Sequence, residues 1–254
     1  MIKVIAEIGW NHCGDMNLAK EMILAAKESG ATYAKFQSWS VSKLKAGDWD
    51  SDGRREIYEK AELTKERHIE LIDYCNKVGI KFLSSVFSIR FCDDNFDVVF
   101  MSTGTSTIEE VAESVKDLRY ARFESNTEQL RASSKSQFYL LHCVSTYPCD
   151  PSMANMLRMN SLKMLGWPIG YSDHIQGVES AKVAIGEGAE VIEKHFTTDN
   201  DLPGRDNKFA ILPHEMKDLT DYIAIRDEMF ISHGTGYQSS ESDSRTNYAG
   251  RFDA

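Results

Sequence analysis

The chain has 254 residues, 42% of them hydrophobic, which is enough for a sizeable core in one α/β barrel or in two smaller domains. Its formal net charge of −10 argues against nucleic acid or an anionic membrane as the main partner, since both need a basic face, yet a few local lysines can still hold an anionic substrate. No run approaches the ~18 apolar residues of a membrane span, and MIKVIAEIG enters a strand-like run with no leader ahead of it. The five cysteines (Cys13, Cys75, Cys92, Cys143, Cys149) form no C-x-x-C pair, which fits reduced thiols in a cytoplasmic protein and argues against zinc held by thiolates.

In chain order, KVIAEIG predicts a first strand, and Asp15 predicts the N-cap of a helix from about Met16 to Ser29, closed by Gly30. TYAKFQ is a second strand, with Lys35 and Gln37 on one face and Phe36 on the other. A buried parallel strand with a lysine near its end needs a reason for that charge. Residues 38 to 62 form a long polar connection carrying Trp39, Trp49, Arg54, Arg55 and Tyr58, and loops of this length are usually functional or mobile. Thr64 caps the next helix, which ends near Val78 and Gly79, and IKFLSSVF is the third strand. Only about ten residues, SIRFCDDNF, then precede the strand DVVFMSTG, whereas a parallel crossover needs a dozen or more. A helix follows to about Leu118, after which RYARF is an arguable further strand before QFYLLHCV. A loosely helical stretch, MANMLRMNSLKML, leads to the strand IGYS. An amphipathic helix around Val178 to Ile185, the strand EVIEKHF, the turn-rich LPGRDNKFAIL and a helix begun by Pro213 come next. From His233 onward the chain lacks periodicity and reads as a polar tail.

Strands alternating with helices predict a parallel α/β fold, with a (β/α)₈ TIM-type barrel as the first choice and a doubly wound sheet as the second. No G-x-G-x-x-G or P-loop follows a strand, which weakens dinucleotide and nucleotide readings. In a barrel the active site lies at the C-terminal strand ends. Those ends carry Glu7, Lys35, Gln37, Ser84, Ser85, Ser102, Thr103, His142, Ser145, Tyr147, Ser172, Asp173, His174, Glu193, Lys194 and His195. His174 and His195 close two strands one strand-helix-strand unit apart, so parallel neighbours would bring both imidazoles to one end of the sheet, where they could share a metal. Taken singly, each could as well satisfy a local hydrogen bond. Two histidines with carboxylates and hydroxyls nearby suit Mn²⁺ or Mg²⁺. Lys35 with clustered serines suits a phosphate or carboxylate.

The stretches AEIGWNHCGD, AKFQ, FLSSVFS, STGTSTIEE, LLHCVSTYP, GYSDH, EKHFT and LPGRDNK, in this order, resemble the N-acetylneuraminate (sialic acid) synthase family, which includes legionaminate and pseudaminate synthases. The resemblance implies a barrel that condenses phosphoenolpyruvate with an N-acetylmannosamine-type amino sugar to a nine-carbon 2-keto acid, releasing phosphate with the help of a divalent metal. It also implies a homodimer. By position, His174 and His195 would hold the metal, Lys35, Ser85 and Ser172 the phosphoenolpyruvate, and Gln37, Tyr147 and Asp206 the sugar, with Glu7 and Glu193 handling protons. Ser145 stands where the family commonly has asparagine. The family's fourth strand, with its K-I-x-S motif, is absent after FSI, so a fourth β/α unit is expected to be missing or displaced, with Arg122 and Ser125 of ARFESNTEQLR as displaced stand-ins. Residues 1–232 are expected to form the barrel and 233–254 the tail, without the antifreeze-like domain that usually follows in the family. The alternatives are a catalytically impaired homologue that acts as a binding module, and another metal-dependent aldolase-type barrel.

Overall fold

The computed structural model describes residues 2–85, 96–124 and 137–251, with the backbone alone for 117–124. Seven strands, β1 (Lys3–Gly9), β2 (Tyr33–Gln37), β3 (Lys81–Ser85), β4 (Val98–Ser102), β5 (Gln137–Cys143), β6 (Ile169–Asp173) and β7 (Val191–His195), form one sheet in the order β3-β2-β1-β7-β6-β5-β4. Every pairing is parallel. The helices are α1 (Met16–Glu28), α2 (Arg54–Ala61), α3 (Lys65–Val78), α4 (Ile108–Glu124), α5 (Arg158–Lys163), α6 (Glu179–Gly186), α7 (Pro213–Met229) and α8 (Ser242–Asn247). The expected caps are in place: Asp15 accepts from the backbone N–H groups of Asn17 and Leu18, Thr64 accepts from that of Arg67, and Gly79 ends α3 with φ of 77°.

The sheet is curled. Its first strand pairs with its last, and Tyr33 of β2 meets Phe100 of β4 with ring centroids 5.5 Å apart, although those strands lie near opposite ends of the sheet order. Period-two alternation divides the strand residues between two faces. Val4, Ala6 and Ile8 face outward and share the main core with Met22, Ile23 and Ala26 of α1 and Met216, Leu219 and Ile223 of α7. Ile5, Tyr33, Tyr139, Leu141 and Val191 face inward and, with Leu83, Val98 and Phe100, make a smaller apolar floor inside the curl. The polar strand ends stand above that floor.

The sequence expectation of a (β/α)₈ barrel is met as an α/β fold with a seven-stranded curled parallel sheet. Among the described residues β3 and β4, consecutive in the chain, form no ladder with each other and are the two edges of the sheet. The arguable eighth strand at RYARF is helical instead: α4 runs on to Glu124. Leu, Arg, Ala and Glu in this stretch favour a helix, and neither Gly nor Pro interrupts it.

The connection at 38–62 is also more structured than its composition suggests. It holds two 3₁₀ turns, Val41–Lys43 and Asp48–Asp50, and then α2. Tyr58 of α2 gathers Trp10, Trp39 and Trp49 around it at centroid distances of 5.1, 5.3 and 5.7 Å. Beyond His233 the described part of the polar tail contains a 3₁₀ turn, Ser239–Glu241, and the short α8, and is solvent-exposed. No helix among the described residues is long and apolar enough to cross a membrane.

The interior of the curl is closely packed at Gly170 of β6, where an added Cβ would lie 2.5 Å from Leu141 Cδ2 and 2.6 Å from the Val191 carbonyl oxygen. Backbone cannot yield as a side-chain tip can. Gly170→Ala should therefore destabilise the fold by about 1–3 kcal/mol, read as a lower urea midpoint at unchanged slope.

Candidate active site

Strand register brings the charged residues together. Glu7 lies opposite Lys35 on one side and His195 on the other, Ser172 opposite Glu193, and Gln37 opposite Ser85. Lys35 Nζ sits 3.0 Å from Glu7 Oε2 and 2.9 Å from Glu193 Oε2. Gln37 Nε2 donates to Glu7 Oε1 at 2.7 Å, and Ser172 Oγ donates to Glu193 Oε1 at 2.9 Å. Glu7 Oε2 accepts no hydrogen bond and holds Lys35 by charge alone.

Two buried carboxylates share one ammonium, and a net buried charge is costly enough that the cluster retains a proton. Burial pushes the Glu7 carboxyl up to about 7; Lys35 opposes the rise and the charge on Glu193 adds to it. On Glu193 burial acts in the same upward direction, but Lys35 and the Ser172 hydroxyl outweigh it and hold this carboxyl below its ordinary value. The pair thus divides its roles: Glu193 is a carboxylate, and Glu7 is poised to give or take a proton near neutrality.

Beside this cluster the rings of His174 and His195 lie with centroids 5.4 Å apart. His174 Nδ1 donates to the Val144 carbonyl at 2.8 Å, which fixes the tautomer and leaves Nε2 with a lone pair. His195 is buried and its Nδ1 has no hydrogen-bond partner, the nearest carboxylate oxygen being Asp206 Oδ2 at 3.8 Å. Burial above all, and then the nearby His174, Lys35 and Lys194, hold His195 far below its usual range, so the ring is neutral. On His174 burial acts downward, but Cys143 and the Val144 carbonyl outweigh it and raise the ring above its ordinary value, so a metal would displace a proton there; two imidazole nitrogens without protein hydrogens to accept are a donor set that fits a divalent metal. Among the described residues no third His, Cys, Asp or Glu completes a ready-made ligand group, so water and substrate would supply the remaining positions.

Loops close the other side. The Tyr147 ring lies 4.1 Å from His174 and 6.0 Å from His195 by centroids, with the Arg205 guanidinium 5.4 Å over its face. Asp206 is held in place by its neighbour Asn207, whose Nδ2 donates to the carbonyls of Asn11 (3.2 Å) and Pro203 (2.8 Å) and whose Oδ1 accepts from Thr197 Oγ1 (2.6 Å).

Comparison with known proteins places this arrangement in a family. The model described as the NeuB family matches residues 22–95 and 89–233. The chain belongs to the NeuB family. It is 33% identical over 259 residues to the N,N'-diacetyllegionaminic acid synthase of Legionella pneumophila, covering 87% of this chain and 70% of that one. It is 32% identical over 256 residues to an uncharacterised protein of Methanocaldococcus jannaschii, covering 89% and 71%. Among solved structures, the N-acetylneuraminic acid synthetase of Leptospira borgpetersenii superposes with a TM-score of 0.72 at 26% identity, covering 98% of this chain and 92% of that one.

Of the residues that the sequence nominates in this NeuB-family chain, the structure gathers Glu7, Lys35, Gln37, Ser172, Glu193, His174, His195, Tyr147 and Asp206 around one centre. Ser85 is half-buried on the same rim, in register with Gln37, while Ser145 is exposed, its Oγ 3.6 Å from Cys143 Sγ. Arg122 lies on the last turns of α4 rather than on a strand, with its side chain outside the described residues, and Ser125 lies outside them altogether. Several other strand-end residues turn away. His142 pairs with the Ala154 carbonyl at 2.8 Å and stacks on Tyr171, Thr103 donates to the Leu141 carbonyl, and Asp173 and Lys194 pair on the outer face at 3.1 Å. Alternation along the strands separates these from their neighbours and could have sorted the rim from sequence alone. Cys143, whose Sγ is 3.9 Å from His174 Nδ1, was not among the nominated site residues, since nothing in its local pattern marks it.

Two outcomes follow from the buried charges. Lys194→Met leaves the Asp173 carboxylate in the core without a counter-charge, beside the Ser180 and Tyr171 hydroxyls and the Ile175 N–H, and should cost about 3–5 kcal/mol in urea unfolding. The folded protein keeps a Glu7 proton that the unfolded chain releases near 4.5, so this contribution to stability is present below that value and is lost as pH rises through about 7. Relative to Glu7→Gln, wild type should lose stability between pH 5 and 8. A difference between the two proteins that stays flat across this window would assign the proton elsewhere.

Proposed function

We propose that this chain condenses phosphoenolpyruvate with an N-acetylmannosamine-type amino sugar, giving a nine-carbon 2-keto acid of the sialic, legionaminic or pseudaminic acid kind and inorganic phosphate. The observation that carries the reading is the Glu7–Lys35–Glu193 cluster directly beside the His174–His195 pair, at the strand ends of a NeuB-family chain. The related proteins named for such products support it: besides the legionaminic acid synthase, they include a pseudaminic acid synthase of Helicobacter pylori, 29% identical over 252 residues.

In this reading Lys35, Ser85 and Ser172 receive the anionic groups of phosphoenolpyruvate, and Gln37, Tyr147, Asp206 and Ser145 orient the open-chain sugar. His174 and His195 would hold a divalent metal, Mn²⁺ or Mg²⁺, whose chemistry is to polarise the sugar aldehyde as a Lewis acid. C3 of phosphoenolpyruvate forms the new carbon–carbon bond to the aldehyde carbon, and the aldehyde oxygen takes a proton from Glu7. Water then adds at C2, giving its proton to a carboxylate of the pair. The tetrahedral centre collapses to the keto group as its C–O bond to phosphate breaks, the remaining C2 hydroxyl proton passing to the departing phosphate. Glu7, with its carboxyl near 7, can serve both proton transfers, and Glu193 keeps Lys35 and Ser172 aimed at the donor. We read the sheet further as a barrel whose fourth β/α unit is missing, which is consistent with the unladdered edges of β3 and β4.

Those same edges favour the second reading, an impaired homologue that binds ligands without turnover. Purified protein given phosphoenolpyruvate, the amino sugar and Mn²⁺ should release phosphate only when all three are present, and Lys35→Met should lower kcat/KM by about 10²-fold or more. His174→Ala and His195→Ala should abolish Mn²⁺ binding followed by calorimetry in the absence of substrates. Metal binding by wild type with neither phosphate nor keto acid formed would leave the impaired homologue as the account.

A further inference from the structure

Tyr147 faces the histidine pair from a place that does little to hold it. The residue lies on the loop after β5, half-buried between exposed Thr146 and Pro148, and its ring meets His174, His195 and Phe209 at centroid distances of 4.1, 6.0 and 5.8 Å. A tyrosine ring on such a loop can swing into solvent, and keeping it in place costs side-chain entropy that another contact must offset. That contact comes from across the site. Arg205, on the loop after β7, donates from Nη2 to the Tyr147 carbonyl at 3.1 Å and sets its guanidinium over the Tyr147 ring, 5.4 Å from the centroid. One side chain thus grips both the backbone and the ring of the same residue.

The surroundings separate this contact from a chance one. Among the described residues the Arg205 guanidinium has no carboxylate within ion-pair distance, although Asp206 follows it in the chain, and nearby Asp201 pairs instead with Lys208 at 3.6 Å. An exposed arginine that passes over an adjacent aspartate for a carbonyl and a ring face is placed by geometry. Its base is rigid as well, because Asn207, two residues on, is buried and hydrogen-bonded to Asn11, Pro203 and Thr197. Among the described residues no other hydrogen bond joins the loop after β5 to the loop after β7.

We propose that Arg205 is a positioning residue that clamps the Tyr147 ring against the histidine pair, so that Tyr147 meets the acceptor sugar already oriented. The proposal deepens the condensation reading and rests on it for what Tyr147 binds; Arg205 itself does not touch the reacting atoms. A guanidinium suits the task because its planar fork can lie over a ring and still aim an N–H at a carbonyl. Without the clamp the ring would sample other rotamers, and the sugar's apparent affinity would fall by the fraction of time that the ring is in place.

The test compares wild type, Arg205→Ala, Tyr147→Ala and the double variant with phosphoenolpyruvate, N-acetylmannosamine and Mn²⁺. The Tyr147 ring itself is followed by ¹⁹F NMR of protein labelled with 3-fluorotyrosine, its resonance assigned by loss in Tyr147→Phe. Arg205 is exposed, so its removal should leave Tm and Mn²⁺ affinity unchanged. Arg205→Ala should raise KM for the sugar about five- to ten-fold with KM for phosphoenolpyruvate unchanged. It should have no further effect once Tyr147 is replaced by alanine. In Arg205→Ala the Tyr147 resonance, displaced in wild type by the ring currents of its aromatic neighbours, should move toward that of a solvent-exposed tyrosine. An unmoved resonance overturns the clamp, and so does a loss on removing Arg205 that is as large in Tyr147→Ala as in wild type. Absence of turnover in every protein would sink the condensation reading alone, because the resonance still decides the clamp.

Discussion

Lys35, held between Glu7 and Glu193, is the contact on which the concave face depends. Each of the three residues comes from a different strand, β2, β1 and β7, and strand register alone brings them within 3.0 Å. Removing Lys35 would leave two buried carboxylates uncompensated, so these three strands are tied at their C-terminal ends by electrostatics as well as by backbone ladders. The cluster also carries an excess of one carboxylate. That excess is what lifts Glu7 to about 7 and gives the site a proton to move near neutral pH.

A second ion pair lies back to back with the first. Glu193 and Lys194 are consecutive and therefore point to opposite faces of β7: Glu193 inward to Lys35, Lys194 outward to Asp173 of β6. Asp173 precedes His174, and Lys194 precedes His195, so the outer pair pins the ends of the two strands from which the histidines project. Lys194 also donates to the Ile175 carbonyl, just past His174. The spacing of the imidazoles is thus set from behind, by groups that have no part in ligand binding.

The loops are organised around the same ends. Asn207, buried and fully engaged, anchors the loop of Asp206 to the turn after β1, and Trp10 from that turn reaches the aromatic cluster of the β2–α2 connection. Loops positioned by a rigid sheet are where binding groups usually sit, and here those of Tyr147 and of Asp206 and Phe209 converge on the histidine pair.

Much of this was legible in the sequence, because it depends on local pattern. The strands β1, β2, β5, β6 and β7 each combine an apolar run with a turn signal, the caps Asp15, Thr64 and Pro213 mark helix starts, and the motif order carries the family. Alternation placed Lys35 and Gln37 on one face. The rest required the third dimension. The short crossover after β3 signalled an irregularity there, but that β3 and β4 form no ladder with each other among the described residues is visible only in the sheet order. RYARF reads as a strand because its two aromatic residues suit that state too, and the unbroken continuation of α4 settles it as helix. The division of labour between Glu7 and Glu193 is likewise invisible in sequence. Both are glutamates at strand ends, and only their unequal share of Lys35, Ser172 and burial makes one a proton carrier and the other a fixed charge.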